Sequence, residues 1–283
     1  MKRTILALSL LLLATCKRAH EPIVVGSKNF TESVLLGEII AQRLEKAGCT
    51  VDRKLDLGGT LVCDHAITAG SIDVYPEYSG TALTAILHRP ASGDRAAVMK
   101  SVSDDYARRG LKWSPPLGFE NTFAMIVRKS DAPKFNLRRI SDLRLVEGTF
   151  RPGFGYEFVE RPDGWNGLQQ KYGLHFAEPA RTMDLGLTYR ALATDQVDLI
   201  AGNSTDGLID ALNLLQLEDD RHFFPPYDTV IVQRSDIGKK CAAAPAALES
   251  MRNTLDVATM RRLNLSIDRD HRSPAVVAKE LQR

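Results

Sequence analysis

Ser71-Ile72-Asp73-Val74-Tyr75-Pro76-Glu77-Tyr78-Ser79-Gly80-Thr81-Ala82-Leu83 is the stretch on which the reading of this 283-residue chain turns. Ile72 to Tyr75 reads as a short β-strand, and Pro76, with no N–H to give a ladder, predicts the strand's end. Glu77 to Thr81 then makes a polar-aromatic turn, and the apolar run from Ala82 to Leu87 reads as helix. In open α/β sheets ligands gather at the carboxyl ends of strands, where such turns lie. Tyr78 and Thr81, a ring and a hydroxyl three residues apart, can line a pocket there. The same tyrosines could equally pack beneath a loop.

Upstream, Ile23 to Gly26 is the first predicted strand, followed by a helix. Asn29 is placed to cap that helix, with Glu32 three residues on to complete a capping box. Leu35, Leu36, Ile39, Ile40, Arg43 and Leu44 carry its helical spacing and Gly48 closes it. Ser27, Lys28 and Asn29 fall on the strand-to-helix turn, where free backbone N–H groups favour an anion. Val51 to Leu57 reads as a second strand, and Leu57-Gly58-Gly59-Thr60 as a turn into a helix capped by Thr60. The pattern is β-α-β-α-β, which predicts a parallel, helix-covered sheet.

Downstream, Asp94 to Gly110 reads as helix and Phe123 to Arg128 as a strand crossing into a second lobe. That lobe is expected to hold a strand near Leu145 to Thr149, a helix around Trp165 to Tyr172 and another over Asp184 to Ala193. Thr229 to Gln233 reads as the strand crossing back, and helices over 245–255, 257–263 and 273–281 close the chain. A chain that crosses twice between two α/β lobes has the plan of a hinged, ligand-closing protein. The expected boundaries are 22–124 with 228–283 for lobe 1 and 125–227 for lobe 2.

The lobes repeat each other in sequence. Ala66 to Tyr78 aligns with Ala191 to Asn203, matching Ile72 with Val197, Asp73 with Asp198 and Tyr78 with Asn203. If the lobes face each other, Tyr78 and Asn203 look at one ligand from opposite sides. The competing reading is that helix-strand units look alike in any α/β protein.

The first sixteen residues stand apart. Lys2 and Arg3 precede the apolar run Ile5 to Ala14, which is too short for a bilayer span and has the length of an export signal's core. Leu13-Ala14-Thr15-Cys16 resembles a lipobox, whose cysteine is lipidated; Thr15 departs from the usual Gly, Ala or Ser. Without Lys2 and Arg3, 35 basic side chains balance 35 acidic ones, which leaves no electrostatic footprint for nucleic acid. Cys49 opens the second strand and Cys63 lies beyond its far end, roughly 20 Å away at ~3.3 Å per residue, so no bridge joins them. No Cys/His spacing reads as a zinc site.

Gly26-Ser27-Lys28-Asn29-Phe30-Thr31-Glu32-Ser33, Leu57-Gly58-Gly59-Thr60, the stretch from Ile72 to Thr81, Asp163-Gly164 and Ser204-Thr205-Asp206-Gly207 together resemble the osmoprotectant-type substrate-binding proteins of ABC importers. That family serves glycine betaine, choline, carnitine and related quaternary amines, and the resemblance covers roughly residues 22–283. It implies a two-lobed periplasmic-binding-protein fold of type II that binds its ligand between the lobes, with no cofactor and no catalysis. It also implies an extracytoplasmic location, in the periplasm or on the outer face of the membrane through Cys16. The implied partners are a permease and its ATPase, and the chain would act as a monomer.

Carried over motif by motif, the resemblance assigns Lys28, Thr81 and Arg161 to the ligand's carboxylate. It assigns Tyr78, Phe123 and Tyr227 to an aromatic cage, Asn203 to a position where the family often has a tyrosine, and Asn121 to the same wall. A trimethylammonium group has no N–H to donate, so aromatic faces recognise it through cation–π attraction. Phe123 lacks a hydroxyl and Asn203 lacks a ring, so a larger betaine such as carnitine or ergothioneine is the alternative to glycine betaine. A ligand-sensing module for a receptor is the alternative role. An acid-base enzyme built on Lys28, Glu77, Glu120 and Arg161 is disfavoured, because no nucleophile-elbow, zinc-protease or phosphate-loop pattern accompanies them.

Overall fold

Two five-stranded sheets built to one plan organise the protein. The structure is a computed structural model that describes residues 21–281, so the export-signal and lipobox readings at Met1 to Cys16 lie outside the described residues. The strands are β1 (Ile23–Gly26), β2 (Val51–Lys54), β3 (Val74–Tyr78), β4 (Leu111–Trp113), β5 (Phe123–Arg128), β6 (Pro152–Gly155), β7 (Arg181–Met183), β8 (Leu199–Asn203), β9 (Leu214–Gln216) and β10 (Thr229–Arg234). The first sheet has the order β2-β1-β3-β10-β4 and the second β7-β6-β8-β5-β9. In each, three parallel strands meet one antiparallel strand brought in by a crossing segment, and then an edge strand.

The repeat extends to single hydrogen bonds. Asp73 Oδ2 accepts the N–H of Val24 at 2.8 Å, and the Asp73 N–H returns to the Val24 carbonyl at 2.7 Å. In the other lobe Asp198 Oδ2 accepts the N–H of Arg151 at 3.0 Å, and its own N–H returns to the Arg151 carbonyl at 2.8 Å. Ser71 and Gln196 likewise donate to the carbonyls of Ala66 and Ala191. Matched positions thus make matched bonds, which a chance likeness of helix-strand units would not produce.

The two crossings run side by side. Asn121 N–H donates to the Tyr227 carbonyl, Thr229 N–H to the Phe119 carbonyl, and Glu120 bridges antiparallel to Asp228. A two-stranded connection of this kind is a hinge with few residues to bend. Pairing in the second sheet starts at Phe123, opposite Asn203. The helix Val257–Asp268 makes a further link, since Arg261 donates to the Ser204 carbonyl and Asn264 to that of Thr205.

Several expectations are corrected. β3 does not stop at Pro76 but runs on to Tyr78, paired with β10 in the register Pro76↔Ile231 and Tyr78↔Thr229. The bonds from Arg234 to Asp73 and from Ser79 to Asp228 show that odd-numbered residues of β3 face β10. Pro76 therefore turns its missing N–H toward the β1 side, beyond Val25↔Val74, where that pairing ends. The first helix, Thr31–Lys46, starts one residue later than predicted, with Phe30 at its N-cap and no side-chain cap, so the Asn29–Glu32 capping box does not form. Glu32 is instead drawn into the interior by amide and phenol partners described below.

The predicted strand at Leu145 to Thr149 is absent; a 3₁₀ turn over Ile140–Leu145 occupies its start, and the strand is the buried Pro152-Gly-Phe-Gly155. Gly153 permits that placement, because a Cβ there would sit 2.6 Å from Val197. β4 was not foreseen. Cys49 and Cys63 are unbridged, as expected, but Cys49 forms a disulfide with Cys241 across 192 residues, and Cys63 is free and buried. It ties the strand side of the first lobe to its C-terminal helices. Among the described residues no helix is long and apolar enough to cross a membrane.

Candidate functional site

Between the lobes lies a cavity of about 160 Å³. Lys28, Tyr78, Thr81, Asn121, Phe123, Arg161, Asn203 and Tyr227, the eight positions named from the sequence, all line it. The parallel strand ends put them there: Lys28 follows β1, Tyr78 ends β3, Asn203 ends β8, and Phe123 and Tyr227 lie at the two crossings. Tyr78 and Asn203 thus occupy matched places on opposite walls.

The aromatic side holds more rings than the sequence reading assigned. Phe123 meets Tyr227 edge to face at 5.8 Å between centroids. Phe30 packs against Tyr78 at 6.1 Å and lines the same cavity, so a ring from the first helix joins the set. The conflict shows only in the structure, where Phe30 takes the N-cap expected of Asn29 against capping preference, and such local conflicts concentrate at functional sites.

The two cations are not bare. Lys28 Nζ lies 2.5 Å from Glu77 Oε1, with both side chains buried, and donates to Thr60 Oγ1 at 3.1 Å. Burial pushes the Glu77 carboxyl above its ordinary range, against the opposing pull of Lys28. Arg161 clasps Asp163 in a two-point fork, at 2.8 Å from Nε and 2.6 Å from Nη2, and donates to Thr81 at 3.2 Å. Its guanidinium also lies 4.9 Å from the Phe123 ring centroid. Asp163 further accepts the hydroxyls of Thr84 and Tyr227, so one carboxylate draws both lobes and a crossing together. Burial would raise the Asp163 carboxyl, but the Arg161 hydrogen bonds and charge outweigh it and hold it below the usual range. Lys28 and Arg161, which the resemblance assigns to the ligand's carboxylate, therefore do not present open positive charge: each has a carboxylate of its own.

Behind the pocket wall Glu32 accepts from Tyr78 Oη at 2.8 Å, Asn121 Nδ2 at 2.9 Å and Asn264 Nδ2 at 3.1 Å. Burial raises its carboxyl while these bonds pull it down. On the opposite wall Asp206 holds the Asn203 N–H at 2.8 Å and the Tyr189 hydroxyl at 2.6 Å; burial pushes its carboxyl up to about 7. Glu120, from the disfavoured enzyme reading, pairs with Arg95 and does not line the cavity. Among the described residues no group of acidic, histidine and cysteine side chains is arranged to hold a metal.

Glu157, which the sequence reading passed over, lines the cavity from the second lobe and reaches across to the first. Its carboxylate accepts the Thr60 N–H at 2.6 Å. Asp163 was likewise noted only as part of a motif.

The architecture recurs in solved proteins. A glycine betaine/carnitine/choline ABC transporter structure superposes with a TM-score of 0.74 at 28% identity, covering 91% of this chain and 96% of that one. Apo YehZ from Escherichia coli gives 0.66 at 30% identity, covering 92% and 96%. Together these place the chain in the two-lobed type II periplasmic-binding-protein fold. In sequence, the chain is 34% identical over 264 residues to the ergothioneine transport permease/ergothioneine binding protein EgtU of Helicobacter pylori, covering 92% of this chain but only 47% of that protein, about half its length. It is 32% identical to the carnitine transport binding protein OpuCC of Listeria monocytogenes, covering 93% of this chain and 86% of that one. The glycine-betaine-binding protein of Pseudomonas aeruginosa is 33% identical, with 93% and 88% covered. The family model described as the substrate binding domain of ABC-type glycine betaine transport systems matches residues 21–281, and the chain belongs to that family.

Proposed function

We propose that this protein captures a small zwitterionic quaternary-ammonium compound in the cavity between its lobes and presents it to an ABC permease. The observation that carries the reading is the convergence of Phe30, Tyr78, Phe123 and Tyr227 with Lys28, Thr81 and Arg161 around one small cavity. Aromatic faces can hold a methylated ammonium that offers no hydrogen, at about 0.5–2 kcal/mol per contact. Thr81, Lys28 and Arg161 lie where a carboxylate can be received, by re-sharing bonds now made to Thr60, Glu77 and Asp163. Asn121 and Asn203 add amides for a ligand's further polar groups.

At about 160 Å³ the cavity lies below the several hundred Å³ that drug-sized ligands occupy, which favours a compact ligand. The amide of Asn203 favours a second reading within the same class: a betaine with an additional polar group, such as carnitine or ergothioneine, the compounds after which two of the relatives are named. The role is capture rather than catalysis, in keeping with the family's transport function. Action outside the cytoplasmic membrane as a monomer, with an anchor at Cys16, completes the proposal.

A thermal-shift screen against glycine betaine, choline, carnitine, ergothioneine and amino acids tests it. Ligand at 100 times its dissociation constant adds about 2.7 kcal/mol to stability. Stabilisation by amino acids, with none by any quaternary amine, would overturn the assignment.

A further inference from the structure

Glu157 lines the cavity from the second lobe and also bonds the first lobe, accepting the backbone N–H of Thr60. It sits on the short helix Tyr156–Glu160 and is itself exposed at the cavity's edge. Oε1 accepts the Thr60 N–H at 2.6 Å, and Oε2 lies 3.4 Å from the Thr60 hydroxyl, which in turn accepts from Lys28 Nζ. Thr60 is the first residue of the helix Thr60–Thr68, so this N–H is one of the unsatisfied donors at a helix start. Gly59 makes the approach possible, because a Cβ there would lie 2.2 Å from Oε1.

The seat that Glu157 fills has the makings of a carboxylate site: a helix-start N–H, a hydroxyl and an ammonium behind it. Of the other charged groups on the wall, Lys28 is matched by Glu77 and Arg161 by Asp163, while Asp184 is a second carboxylate at the cavity. Glu157 adds a negative charge that, among the described residues, forms no ion pair of its own, although Arg161 lies near enough to feel it. A ligand that is purely cationic gains from that charge. A ligand carrying its own carboxylate competes with Glu157 for the Thr60 N–H and is repelled by it.

We propose that Glu157 tunes the charge preference of the site: it raises the affinity of quaternary amines without a carboxylate relative to that of the zwitterions the pocket captures. The inference rests on the quaternary-ammonium reading above and adds a residue that decides between its members. Asn203 would choose by shape and hydrogen bonding, whereas Glu157 chooses by charge.

Glu157→Gln is the test, because the amide keeps an oxygen for the Thr60 N–H and removes only the charge. Calorimetry measures choline and glycine betaine on the wild type and the variant, with thermal melts of both proteins without ligand as a check on folding. The expected result is that choline affinity falls about tenfold, as a neighbouring charge partly screened by solvent warrants, while glycine betaine affinity is unchanged or rises. The decisive quantity is the ratio of the two affinities. A ratio that stays within about threefold of the wild type overturns the proposal, including the case in which both ligands weaken together and Glu157 serves only to hold the lobes shut. If neither compound, nor any other quaternary amine, binds the wild type, the reading of the pocket falls first and the role of Glu157 falls with it.

Discussion

Asp163 stands two residues from Arg161 and grips its guanidinium at two points while accepting hydroxyls from Thr84 and Tyr227. The pair is a buried charge couple that also joins both lobes and a crossing segment. Removing one member of such a couple leaves an uncompensated charge out of water, which is far costlier than losing an exposed ion pair. Asp163→Ala should lower stability by about 3–5 kcal/mol in urea denaturation, and Arg161→Ala/Asp163→Ala together should lower it by less. Equal losses in the single and double variants would show that the guanidinium is not the source of the cost.

Asn203 ends β8 opposite Phe123 and faces the cavity across from Tyr78. Asn203→Tyr should tighten glycine betaine by one cation–π contact, about 0.5–2 kcal/mol. It should weaken a larger betaine that hydrogen-bonds the amide, because that polar group loses its partner. Calorimetry on both proteins with glycine betaine and carnitine decides the matter; affinities that move together exclude Asn203 as the residue that separates them.

The Cys49–Cys241 disulfide closes a long loop within the first lobe and stands apart from the cavity's lining residues. Cys49→Ala/Cys241→Ala, or a reductant, should lower unfolding stability by about 2–5 kcal/mol. Ligand affinity measured well below the new melting temperature should stay within about twofold of the wild type, since no pocket side chain is touched. A large loss of affinity in the folded double variant would contradict this separation of stability from binding.

Asp206 gives the site a pH dependence whose sign follows from its environment. Burial raises its folded-state value to about 7 from the ordinary 3.8, so between these limits the folded chain holds a proton that the unfolded chain has released. The contribution of Asp206 to stability therefore falls as pH rises from about 4 to about 7 and is flat above that range. Asp206→Asn keeps an oxygen for the Tyr189 hydroxyl and the Asn203 N–H without ever carrying a charge. Urea titrations from pH 4 to 8 should show the variant gaining on the wild type up to about pH 7. A stability difference that is constant across the series would place the carboxyl in its ordinary range.

Local pattern carried much of this protein. The β-α-β-α-β order, the two crossing strands and the alignment of Ala66–Tyr78 with Ala191–Asn203 follow from apolar periodicity and turn residues, which act over a few neighbours. The eight pocket positions were assigned through the family resemblance, motif by motif, and they line one cavity, several of them at strand ends and crossings.

What escaped the sequence depends on partners far along the chain. Pro76 stays within β3 because its missing N–H faces away from β10, and only the register with Thr229–Arg234 decides which way it faces. Glu32 leaves the capping box because Tyr78, Asn121 and Asn264 offer it three hydrogen bonds in the interior. Cys49 finds Cys241 rather than Cys63 because the C-terminal helices fold back onto the first helix. Lys28 and Arg161 carry fixed charges in any reading, but Glu77 and Asp163 offset them only once the chain is folded. Residue type and spacing set which chemistry was available at the pocket; tertiary packing decided which charges were already spoken for, because electrostatic pairing depends on distance in space and not along the chain.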